Sequence, residues 1–108
     1  MAFTEDSLGG NFNNTSYVTL AIGDGNGTKL VKNVVIHNLD SVSQTVQIEL
    51  YKSSVAYRMF KVTLAPDDSL VQDVLLALVN ANYTLRAKLL AAATTTQPQF
   101  VVTLAQHS

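Results

Sequence analysis

The residues able to do chemistry in this chain stand apart from one another. Its two histidines, His37 and His107, have no second histidine, cysteine or paired carboxylate at ligand spacing, so the sequence predicts no metal centre. Asp24-Gly-Asn-Gly27 opens like a calcium loop, but such a loop of about twelve residues closes on a glutamate. The closing position here is Val35, which cannot ligate. The segment reads as a glycine-rich hairpin turn. Asp67-Asp68 is a carboxylate pair of the kind used in acid–base catalysis, but it follows Pro66 at a turn, where carboxylates stay solvated. Serine, histidine and aspartate all occur, yet no Gly-x-Ser-x-Gly elbow presents a nucleophile. Asn-x-Ser/Thr triplets begin at Asn13, Asn14, Asn26 and Asn82 and mark loops rich in Asn and Thr. These patterns point away from an enzyme and from any cofactor. The remaining candidates are apolar: Tyr51, Tyr57 and Met59 near one turn, and Phe3, Leu8 and Phe12 near the N-terminus, all read as partner-binding anchors.

The elements that must carry these residues are strands. At 108 residues the chain is long enough for one core. With no cysteine, neither disulfides nor thiolate metal sites can staple it. Seven basic residues face eight acidic ones, and only 14% of the chain is charged against 47% apolar. A surface so poor in charge is rich in Ser, Thr, Asn and Gln or is covered by another chain. No basic run offers an electrostatic grip on nucleic acid. No apolar run approaches the ~18 residues that span a bilayer, and the first residues lack the pattern of a secretion signal.

Residues 1–15 show no periodicity and read as an extended N-terminal arm, with Phe3, Leu8 and Phe12 docking on a neighbour. Residues 16–108 read as a β-sandwich domain. Apolar residues then alternate at a period of two. A first strand is predicted over 16–22, and a second over 29–38 with apolar residues on both faces, hence central. A third covers 45–51, with Val46, Ile48 and Leu50 inward and Gln47, Glu49 and Tyr51 outward. A fourth covers 57–64, with Phe60, Val62 and Leu64 inward and Tyr57, Met59, Lys61 and Thr63 outward. The third and fourth are expected to pair. Residues 69–93 fit either a short helix within 69–80, starting at a Ser69-Leu-Val-Gln72 capping box, or two strands, the first kinked near Asp73 and parted from the second by an Asn80-Ala-Asn82 turn. Strands are favoured, because open sheet edges need partners. A last strand covers 100–105.

Lys29-Leu-Val-Lys-Asn-Val-Val-Ile-His-Asn38, then a Ser-rich turn and Gln44-Thr-Val-Gln-Ile-Glu-Leu50, resembles the opening strands of small virion proteins of tailed bacteriophages. Leu64-Ala-Pro-Asp-Asp-Ser-Leu-Val71 resembles the segment that follows in them. The likeness covers about residues 28–92. This chain has Asp67, and later Asn80 and Ala81, where those proteins often have Gly. The resemblance implies an immunoglobulin-like or jelly-roll-like antiparallel sandwich, all-β, with no catalytic residue. It implies a structural protein that decorates and cements a capsid, or else sits on a tail, neck or fibre. Its expected place is the virion, after synthesis in the host bacterial cytoplasm. Its expected partners are the major capsid protein, other virion proteins and copies of itself, with no nucleic acid and no membrane. From the residues alone, the rival reading is a carbohydrate-binding or adhesion sandwich that stacks sugars on exposed tyrosines.

Overall fold

In a computed structural model describing residues 3–24 and 27–107, the alternation resolves into eight strands and, among the described residues, no helix. They are β1 (Phe3–Asn11), β2 (Val18–Ile22), β3 (Thr28–His37), β4 (Gln44–Lys52), β5 (Val55–Leu64), β6 (Ser69–Leu78), β7 (Tyr83–Leu89) and β8 (Gln99–His107). Two four-stranded sheets form, in the orders β1-β8-β3-β6 and β2-β7-β4-β5, and every pairing is antiparallel. Successive strands cross between the sheets except at the β4–β5 hairpin. This double Greek-key order is the jelly roll. It differs from the seven-stranded immunoglobulin arrangement, so the jelly-roll branch of the expectation is the one realised.

The core lies between the sheets. Val46, Ile48, Leu85 and Leu89 of the second sheet meet Val31, Val34, Ile36 and Val102 of the first, all sealed from solvent. Of the residues expected inside, Val46 and Ile48 are fully buried, while Leu50, Phe60 and Val62 are partly buried against the core. β4 and β5 pair as expected, joined at Ser53 and Ser54, whose φ angles of 50° and 68° match the twist a two-residue hairpin requires. The 69–93 segment takes the two-strand solution. The register between β3 and β6 slips by one residue between Asp73 and Leu76, next to the expected kink.

The N-terminal arm is corrected. Residues 3–11 form the edge strand β1, paired with β8 from Phe3↔His107 to Asn11↔Gln99. Its backbone pairs along β8 while its sequence has no apolar alternation, which is why periodicity does not reveal it. Gly10 sits opposite Phe100, and a Cβ there would come within 2.7 Å of that ring. The glycine therefore lets the aromatic ring cover the strand edge. The next residue, Phe12, is a core residue and not a docking anchor. Its ring meets Phe100 edge-on at 5.7 Å and its amide donates to the Pro98 carbonyl.

Candidate functional site

Polar and charged side chains converge on the outer face of the second sheet. Register aligns Thr19, Arg86, Glu49 and Arg58 in one row across β2, β7, β4 and β5, and Lys88, Gln47 and Lys61 in the next. Arg86 is at the centre. Its Nε donates to Glu49 Oε1 at 2.6 Å, and its Nη2 lies 2.5 Å from the same oxygen. Its Cζ lies 3.8 Å from the centre of the Tyr17 ring and 3.9 Å from that of Tyr51, so the guanidinium is clamped between two aromatic faces. A planar, delocalised cation suits this slot as a lysine ammonium would not. Lys88 Nζ lies 4.8 Å from the Tyr17 ring centre, and Gln47 Nε2 donates to Tyr17 Oη and Glu49 Oε2, each at 3.4 Å.

Tyr17 is aimed by the turn before β2. Asn14, at φ 50°, fastens that turn to the far loop. Its Oδ1 accepts from Gln97 Nε2 at 2.6 Å and from the Ala93 amide at 3.0 Å, and its carbonyl accepts from the Leu89 amide. The outcome corrects one expectation. Gln47 and Glu49 point outward, as alternation predicts, yet both are buried, because Tyr17 and Arg86 lie flat across them.

The tyrosine–methionine trio is split. An extra residue in β5, Met59, shifts the register between Ile48↔Phe60 and Glu49↔Arg58. This bulge moves Tyr57 to the face of its partner Leu50, while Tyr51 stays on the outer face, and Met59 packs against the core. Tyr57 is 53% exposed on the edge strand. Leu8 is half-exposed on β1. Phe3 pairs through its backbone, and its side chain lies outside the described residues.

Two further clusters form that the sequence pattern does not announce. His37 Nδ1 lies 2.5 Å from Ser69 Oγ, with Asp67 Oδ1 3.9 Å from His37 Nε2. The composition is that of a nucleophilic triad, but the geometry is not. The aspartate is 91% exposed and beyond hydrogen-bond length, and no cavity among the described residues surrounds the serine. The pair is a polar bond between two strand ends.

Asp40 is buried and ties two loops together. It accepts from the amides of Thr94 at 2.9 Å, Thr95 at 2.8 Å and Ser41 at 2.9 Å, and from Gln44 Nε2 at 2.7 Å. The Thr94 amide first, then the Thr95 amide, Gln44 and the Ser41 amide, hold its carboxyl far below the usual carboxylate range against the opposing effect of burial. Beside it Asn38, fully enclosed, donates to the carbonyls of Leu64 and Val42. Donors surround Asp40 where a cation would need oxygens, and no metal-binding group of three or more ligands occurs among the described residues.

No protein-family model matches the sequence, and no curated protein matches it. Solved structures do match. A chain in the acid-stable capsid of Helicobacter pylori bacteriophage KHP30 aligns over 99% of this chain and 89% of its own, at 12% identity and a TM-score of 0.63. A Bacillus endospore appendage, a disulfide-linked pilus, aligns over 97% and 86% at 13% identity and 0.55. The Drosophila NLP core aligns over 97% and 98% at 17% identity and 0.51. What this chain shares with them is the fold.

Proposed function

We propose that the chain is a structural subunit of a virus particle, a decoration (cement) protein that binds the capsid of a tailed bacteriophage and stabilises it. The observation that carries this reading is the complete eight-stranded jelly roll, superimposable along nearly its whole length on a chain of a phage capsid. The rest of the molecule agrees with it. The polar clusters are spent internally, Asp40 on closing loops and Arg86 on Glu49 and two tyrosines, which suits a role met by shape and contact. Its partners are then the major capsid protein or other virion proteins, and copies of itself, with no nucleic acid and no membrane.

Purified protein added to particles lacking it binds saturably, at a number set by the lattice, and raises their resistance to heat. A protein that binds no capsid yet localises by electron microscopy to the tail, neck or fibre moves the role there. The sugar-binding alternative loses support from the site, since the Tyr51 ring is stacked on Arg86 and not free for a sugar. Retention on a polysaccharide that Tyr57→Ala abolishes would restore it.

A further inference from the structure

The net charge of −1 conceals an uneven distribution. Arg58, Lys61, Arg86 and Lys88, four of the seven basic residues, share the outer face of the second sheet with one acid, Glu49, which is buried under Arg86. Lys61 and Lys88 flank Gln47 on adjacent strands, and Arg58 and Arg86 flank Glu49 in the next row. Strands lie ~4.8 Å apart, so the two cations of each row stand roughly 10 Å from one another. Glu49 neutralises Arg86 and leaves Arg58, Lys61 and Lys88 in excess. Arg58 and Lys61 are exposed.

Elsewhere the chain carries the opposite charge. Asp67 and Asp68 stand at the tip of the turn between β5 and β6. Pro66 and the φ of 62° at Asp67 make this a type II turn, closed by the Asp68 amide on the Ala65 carbonyl and tied down by the Asp67 amide on the Asn38 carbonyl. The Asp67 carboxylate is 91% exposed. A firm knob with two carboxylates and a firm face with three cations that have no acidic partner among the described residues are complementary in charge.

We propose that the outer face of the second sheet receives the Asp67–Asp68 turn of a second copy of this chain. Knob and face occupy different surfaces, so each copy uses both, and the contact is heterologous. It builds a ring where the rotation closes and a filament where it does not. The inference rests on the reading of the chain as an assembly subunit. A nucleic acid fits the face less well. Three cations with no acidic partner among the described residues neutralise few phosphates compared with the about 6–10 contacts of strong binders, and the Tyr17 and Tyr51 rings are committed to Arg86 and not open to bases.

The test is sedimentation of the full chain at about 50 and about 500 mM salt, where screening separates charge-driven from apolar association. The wild type associates at low salt, and its dissociation constant rises at least about tenfold at high salt. Lys61→Glu with Lys88→Glu abolishes association, and so does Asp67→Lys with Asp68→Lys. Mixing the two double variants restores it, as does combining all four changes in one chain. Dichroism and melting of each variant show that it is folded. A wild type monomeric at both salts, or oligomers that survive either double change, overturns the contact, as does binding to single-stranded DNA without self-association. Each of these failures leaves binding to capsids, the test of the assembly reading, to be decided by its own experiment.

Discussion

The outer face of the first sheet is open, whereas that of the second is roofed by its own side chains. Over the first sheet, Val101, Val35 and Val71 form one cross-strand row, flanked by Thr103, Asn33 and Asp73 on one side and Gln99, His37 and Ser69 on the other. These side chains are too short to cover one another, and Val71 stays 67% exposed and Val101 44%. Over the second sheet, the outward positions hold Gln47, Glu49, Tyr51, Arg86 and Lys88, long enough to lie across their neighbours. There a glutamate that points away from the core is closed off from water. Burial on a sheet's outer face thus depends on the reach of neighbouring side chains as well as on strand parity.

The sharpest way to break this contrast is to remove its centre. Arg86→Ala leaves Glu49 beneath the tyrosines without its counter-charge. Stripping one partner from a fully buried pair costs 3–5 kcal/mol; with Arg86 still 22% exposed, the expected loss is about 2–3 kcal/mol, read from urea denaturation. A loss under about 0.5 kcal/mol, usual for surface positions, would mean that the roof carries no stability. Replacing both members, Arg86→Met with Glu49→Leu, is expected to recover most of it, because no charge is then left unpaired.

Acid separates the faces from the loop end. Asp40 titrates below its unfolded value of about 3.9, so its contribution is fully present above that pH and is lost as pH falls through and below it. The melting temperature is expected to drop between about pH 4 and pH 2. Asp40→Asn melts lower at neutral pH and loses less on acidification. If wild type and variant run parallel through that range, other carboxylates set the acid limit.

Gln47→Ala separates what alternation reveals from what packing adds. From strand parity alone, Gln47 is a solvated position with negligible cost. Buried, and bonded to Tyr17 and Glu49, it is expected to cost about 1 kcal/mol. The strands themselves were legible because Val46 and Ile48 alternate with polar residues, and because Pro66 and the Asn80–Asn82 segment punctuate the chain. Three things were not. β1 pairs through its backbone, and Gly9 and Gly10 erase any alternation. The Met59 bulge reverses the parity of Tyr57, and the composition of β5 carries no mark of it. The Arg86 clamp joins Tyr17, Tyr51 and Glu49 through tertiary pairing of β2, β7 and β4. The signal present in the sequence was a polar series of long side chains, Gln47, Glu49 and Tyr51, repeated in parity by Arg86 and Lys88.

The smallest effect belongs to the open face. Val71→Thr keeps the branched shape that suits a strand and replaces a methyl group with a hydroxyl already in water. Its expected effect on stability is within about 0.5 kcal/mol, and Val101→Thr behaves alike. Because neither residue is roofed, the two changes together are also nearly neutral in the isolated chain. Their effect is expected on assembled particles instead, if the Val101–Val35–Val71 row is covered there by a neighbour. Removing apolar area from a covered contact weakens it in proportion to the area lost, about 25 cal/mol per Å². Equal heat resistance of particles carrying wild-type and Val71→Thr/Val101→Thr protein would show that this face looks outward into solvent, leaving the basic second face as the one turned to a partner.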